Sequence, residues 1–248
     1  MIRIFLYLAA IAVSAIAEAQ VTENRSVPNF TGIYASSGVQ VVYTPSSTTS
    51  VKVESDNQDK INQIVTEVRG GELKVYVKHK KGGNTFKTLK AYVSAPDVKA
   101  FKAQSGSHIT LENELNSQGK VGIEVEAGSR ITGDFVANSI DINVESGSGF
   151  SGKLIATNVS VELESGSTAS VSGKADKLKL EVSAASNFSG KDLTVKSAII
   201  QAANTSVVDI TVTESLTAEA DSLSFIDYYG NPKHVDAKAT SLGKVNKK

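Results

Sequence analysis

Val144-Glu145-Ser146-Gly147-Ser148-Gly149-Phe150-Ser151-Gly152 recurs, with variation, along most of the chain. Val125-Glu126-Ala127-Gly128-Ser129-Arg130-Ile131-Thr132-Gly133 precedes it. Leu163-Glu164-Ser165-Gly166-Ser167 and Val182-Ser183-Ala184-Ala185-Ser186-Asn187-Phe188-Ser189-Gly190 follow. Centred on Gly106, Gly128, Gly147, Gly166, Ala185, Asn204, Asp221 and Thr240, the copies are spaced by 22, 19, 19, 19, 19, 17 and 19 residues. A period of roughly 20 residues on strand-like sequence predicts an all-β chain, a single-stranded parallel β-helix or β-solenoid of about eight coils.

The columns of the repeat show how a coil is built. Five residues before the centre stand Phe101, Ile123, Ile142, Val161, Leu180, Ile199, Leu216 and Val235, all apolar. Position −3 is apolar except for Gln201 and position −1 is Ser or Ala throughout, so alternation predicts a strand with −5, −3 and −1 facing inward. The centre then needs a corner. Gly106, Gly128, Gly147, Gly166, Asn204 and Asp221 are the residue types that tolerate positive φ. The next position is Ser or Thr in every coil, Ser107 to Ser241, which predicts a hydroxyl ladder along the stack. A shorter strand and a return turn complete each coil. Parallel β connections favour the right-handed sense.

Before the repeats, Gly38–Tyr43, Ser50–Glu54 and Leu89–Val93 alternate like strands. Arg69-Gly70-Gly71 joins two further strands as a hairpin. Ser55, with Gln58 three residues on, predicts the cap of a short helix. The mature chain is read as one β-solenoid domain, 20–248, with an N-terminal β-rich cap over 25–100 and repeats over 101–245.

Residues 1–19 read as a signal peptide. A basic start precedes 14 apolar residues, Ile4 to Ala17, and small residues suit cleavage after Ala19. The expected address is the periplasm, the outer membrane or the cell surface, with no transmembrane segment left after cleavage. Lys+Arg and Asp+Glu balance at 26 each, which speaks against a nucleic-acid partner. With no cysteine, disulfides, thiolate metal sites and cysteine nucleophiles are excluded.

Outward positions −4 and −2 collect Glu124, Glu126, Glu145, Glu162, Glu164 and Glu181. Glu126, Glu145 and Glu164 share a column, where stacked carboxylates repel or recruit cations. The simpler reading is a solvated sheet face, and no cofactor is expected. Tyr228-Tyr229 with Asn231 is the only aromatic pair and a candidate for stacking on sugar. His79, His108 and His234 lack metal-ligand spacing. No catalytic residue is assigned.

The Ser-Gly-Ser corners are joined by Val27-Pro28-Asn29-Phe30-Thr31-Gly32-Ile33, by Ser94-Ala95-Pro96-Asp97-Val98 and by Tyr228-Tyr229-Gly230-Asn231-Pro232. In that order the segments resemble the auto-transporter adhesin head, GIN domain family of exported bacterial β-solenoids. The resemblance implies export and an adhesin-like role and supplies no catalytic residues. The expected function is therefore a non-catalytic adhesin or cell-envelope binding module, its partner a surface glycan or an envelope protein. The alternatives are a polysaccharide-acting enzyme on the same scaffold and a structural accessory of the envelope.

Overall fold

The computed structural model describes residues 20–78 and 85–248. The signal-peptide reading and His79 lie outside the described residues. Each coil turns on two consecutive residues with positive φ. In the stretch quoted first these are Ser146 (55°) and Gly147 (69°). The equivalent pairs are Ser105–Gly106, Ala127–Gly128, Ser165–Gly166, Ala184–Ala185, Asn204–Thr205, Ser222–Leu223 and Ser241–Leu242. The second amide of each pair donates to the first carbonyl of the next, as Gly147 N does to Ser165 O (3.0 Å).

This corner corrects three sequence expectations. Positions −1, such as Ala127 and Ser146, are exposed rather than inward, because a double left-handed step resets the alternation. Asn204 is the first corner residue, not the second, and Asp221 and Thr240 stand one residue ahead of their corners. The second members are spaced by 22, 19, 19, 19, 20, 18 and 19 residues. Register shifts between Ser170 and Gly173, and again after Gly190, absorb the changes. Ile200 therefore points into the core, and Ile199 is 56% exposed.

The residue after the corner is the first to face inward. Ser107, Ser129, Ser148, Ser167, Ser186, Ser206 and Ser224 are all buried. The ladder thus ends on Ser206 and Ser224, where the sequence pattern points to Thr205, Ser222 and Ser241. The ladder amides point along the stack where no carbonyl is available, and the next hydroxyl takes the bond. Ser107 N donates to Ser129 Oγ (3.2 Å), Ser129 N to Ser148 Oγ (3.3 Å) and Ser167 N to Ser186 Oγ (3.2 Å). Ser148→Ala leaves the buried Ser129 amide without this acceptor and is expected to cost about 1–2 kcal/mol in urea unfolding. An unmoved midpoint would show that the hydroxyl is idle.

The return segment is a third strand lane rather than a turn. The strands, in chain order, are β1 (Val21–Arg25), β2 (Gly32–Ala35), β3 (Gln40–Pro45), β4 (Ser50–Ser55), β5 (Ile64–Arg69), β6 (Glu72–Val77) and β7 (Leu89–Ala95). Then come β8 (Ala100–Ala103), β9 (His108–Leu111), β10 (Leu115–Asn116), β11 (Lys120–Val125), β12 (Arg130–Thr132) and β13 (Phe135–Val144). β14 (Gly149–Leu163), β15 (Thr168–Val182), β16 (Asn187–Ala202) and β17 (Val207–Ala220) follow, and β18 (Phe225–Tyr229), β19 (His234–Ala239) and β20 (Lys244–Lys247) close the series. β14 to β17 each pass through all three lanes. Pairing runs Gly149↔Thr168, Leu154↔Gly173 and Val161↔Leu180 within one pair of strands.

The cap is interleaved. β2 lies parallel between β6 and β8, and β3 between β7 and β9. Antiparallel β5, β4 and β1 finish that end. Gly70 (61°) and Gly71 (80°) make the expected two-residue hairpin turn between β5 and β6. The helix α1 (Gln58–Ile61) is a single turn capped by Asn57, whose side chain accepts from Lys60 N. Ser55 does not cap it, because its hydroxyl donates to Thr88 O (3.1 Å).

Inside, Val, Ile and Leu columns carry most of the core. Towards the cap, Tyr43, Phe101, Phe135 and Phe150 stack with centroids 5.4, 5.8 and 6.0 Å apart. Burial, then the charge of Asp97, pushes the Tyr43 phenol up to about 12.

Candidate acidic groove

Realigning the coils on their true corners gathers the acids. Glu124, Glu162, Glu181 and Glu219 fall at −4, and Glu126, Glu145, Glu164 and Asp221 at −2. These positions alternate outward on the lane of β11 and the ends of β13 to β17. They stay outward because −5 and −3 are held in the core.

The column divides into two parts. Near the cap, Lys102 Nζ binds Glu124 Oε2 (2.7 Å) and Glu126 Oε1 (3.0 Å), and Gln104 Nε2 donates to Glu126 Oε2 (2.9 Å). The Glu124 bond first, and Glu126 after it, raise the Lys102 ammonium above its ordinary value, against the opposing effect of burial. In that part both carboxylates are held by internal partners. Farther along, Glu162, Glu164, Glu181, Glu219 and Asp221 line an open groove of about 370 Å³, floored by Val182 and Ala202.

In the groove, Lys179 binds Glu181 (2.7 Å) and Lys238 binds Glu219 (2.8 Å). Asp221 Oδ1 accepts from Thr240 Oγ1 (2.8 Å), the largest of the hydroxyl contacts that hold its carboxyl below the usual range. Asp221 is thus a fixed acceptor. The Glu164 carboxylate makes no hydrogen bond or ion pair among the described residues, and neither does that of Glu145 on the preceding coil; only their backbone amides are engaged, to Val144 O and Val125 O. The groove presents carboxylate oxygens to solvent and suits a ligand carrying amino, guanidino or hydroxyl groups. Among the described residues no three His, Asp or Glu side chains are placed to hold one metal ion.

The aromatic candidate divides differently. Tyr228 is 9% exposed and points into the core, because β18 alternates. It is therefore unavailable for stacking on a sugar. Tyr229 points outward with Lys191 Nζ 4.7 Å from its ring centroid, and Asn231 Oδ1 accepts from Lys247 (2.7 Å). His108 and His234 open β9 and β19, at different places in the stack. Sequence reading placed Asp221 at a corner and missed Glu219, because its centring slips by two residues in the seventh coil. The signal is present in Ala218-Glu219-Ala220-Asp221, which repeats the small–acidic alternation of the earlier coils.

A comparison with curated protein sequences finds no match. Among solved structures, a "putative lipid binding protein" of Parabacteroides distasonis superposes with TM-score 0.83 at 19% identity, covering 92% of this chain and 96% of that one. A "putative adhesin" of Parabacteroides merdae gives 0.84 at 16% identity, with 92% and 96% covered. A "putative adhesin" of Bacteroides fragilis gives 0.68 at 17% identity, with 94% and 98% covered. At these identities the likeness concerns the fold. A family profile goes further and matches residues 29–232, from the first cap strands to the turn after β18. The chain belongs to the family described as "Putative auto-transporter adhesin, head GIN domain".

Proposed function

We propose that this chain is an exported, non-catalytic binding module of the adhesin type, and that the acidic groove is its binding surface. The groove is the observation that carries this reading. A solenoid fixes its inner columns and leaves its outer ones open to variation. The outer ones here concentrate carboxylates. The Glu164 carboxylate has no hydrogen-bond or ion-pair partner among the described residues, and like charges on neighbouring coils have an electrostatic cost that a cationic ligand would relieve. Family membership and the N-terminal sequence support export. The partner chemistry that fits is a glycan bearing free amino groups or a basic patch of an envelope protein.

The test is a glycan array run with chain 20–248 and with its Glu162→Gln, Glu164→Gln, Glu181→Gln triple variant. Wild type is expected to retain amine-bearing glycans in preference to their N-acetylated forms. The variant is expected to lose about tenfold in affinity with a melting temperature no lower than wild type, since these side chains face solvent and their removal lessens like-charge repulsion. Equal binding by the two proteins would remove the groove from the reading. New reducing ends released from a bound polysaccharide would replace the binding module with an enzyme.

A further inference from the structure

The corner ridge changes character along the stack. In four coils the second corner residue is Gly106, Gly128, Gly147 or Gly166, which takes positive φ freely. In the last three coils it is Thr205 (67°), Leu223 (63°) and Leu242 (68°). A β-branched or bulky residue there is strained and persists only where something else outweighs the strain. Internal packing does not supply that compensation, because Leu223 is 49% and Leu242 75% exposed. The two leucines sit on adjacent corners, Leu223 N donating to Ser241 O (3.2 Å). Beside them Phe225 is 37% and Val207 40% exposed, on paired positions of β18 and β17. Strained leucines and an outward phenylalanine make one protruding apolar ridge, in a protein whose other corners are small and polar.

The terminal coil beside this ridge is basic. From Leu223 to Lys248 there are five lysines and two aspartates, a net +3, which Glu219 and Asp221 of the adjoining groove reduce to +1. Lys238 and Lys248 are engaged by Glu219 and Asp227. Lys244 leans over the Phe225 ring, 6.0 Å from its centroid, and Lys247 stands on the same terminal strand. Apolar side chains that project among lysines match the boundary between headgroups and acyl chains in an anionic bilayer. A second copy of the chain would bring the same positive charge against itself.

We propose that the β18–β20 end of the solenoid docks on an anionic lipid surface, with Leu223, Leu242 and Phe225 entering the bilayer interface and the lysines meeting lipid phosphates. The test uses chain 20–248, which contains the whole described fold. It is sedimented with vesicles of phosphatidylcholine alone and with vesicles in which roughly one-third of the lipid is phosphatidylglycerol. Binding is expected only to the second set and is expected to weaken with added salt. The Leu223→Gly, Leu242→Gly double variant relieves both strained corners, so it should fold at least as well as wild type while losing about tenfold in vesicle partition. Failure of wild type to sediment with anionic vesicles would overturn the proposal, as would equal binding by the double variant. A concentration-dependent dimer that the variant abolishes, without vesicle binding by wild type, would assign the ridge to a second copy instead.

Discussion

Gly152→Ala is expected to cost about 4 kcal/mol or more of folding stability, because the added methyl group would make the closest approach of any at the described glycines. Gly152 lies at the bend between the second and third lanes. There the Cα–Cβ direction runs along the stack rather than out of it. A Cβ built at this position would overlap the carbonyl oxygen of Gly133 on the preceding coil, far inside van der Waals contact. That oxygen belongs to the backbone, so no rotamer change can relieve the overlap and the two coils must separate locally. Gly147 is the control. Nothing lies within 4 Å of the Cβ it would gain, and its only demand is φ of 69°. Ala185 already adopts φ of 62° at the equivalent corner. Gly147→Val should therefore cost about 1–3 kcal/mol, all of it backbone strain. Urea unfolding of the two variants side by side separates close approach from conformational strain. Similar losses in both would mean that the bend can open.

Phe135→Ala should cost about 3–5 kcal/mol. Phe135 is 1% exposed and lies between Phe101 and Phe150, at centroid distances of 5.8 and 6.0 Å. Its removal leaves a cavity between rings held by different coils, and the backbone ladders on both sides prevent collapse. A melting temperature lower by about 10 °C is expected for a domain of this size. Phe135→Leu refills most of the volume and should lose under about 1.5 kcal/mol. Ile155→Ala is the surface control. Ile155 stands in the same lane on the next coil, next to the partner of Phe135, and is 38% exposed, so its truncation should change little. If Phe135→Leu proved as damaging as Phe135→Ala, ring stacking rather than volume would be the stabilising quantity.

The period, the parallel stacking and the inward −5 and −3 columns were legible because strand alternation and repeat length are local. The corner was half legible. Gly147 and its equivalents marked the positive φ, but a run of letters does not show that Ser146 shares it. The inward side therefore moved from Ala127 and Ser146 to Ser129 and Ser148. The third lane was hidden because its residues, Phe135, Leu154, Gly173 and Leu193, include a glycine among apolar side chains and step from a spacing of 19 to 20 after Gly173. The interleaved cap was not legible, since nothing local in Ile33 says that Leu73 and Phe101 will flank it. In the groove, Glu162, Glu164 and Glu181 were found from alternation, and Glu219 and Asp221 needed the corner at Leu223 to fall into line.

The interleaving of the cap sets an order of assembly. β2 and β3 leave one edge bare until β6 and β7, which come later in the chain, arrive beside them. After that every coil meets a finished template. Its strands need only find the neighbour immediately before them in sequence, a short-range search compared with the closure of the cap. Folding is therefore expected to be slow to begin and quick to extend, growing from the cap towards β20. A chain delivered N-terminus first supplies its coils in the order in which the growing edge can receive them.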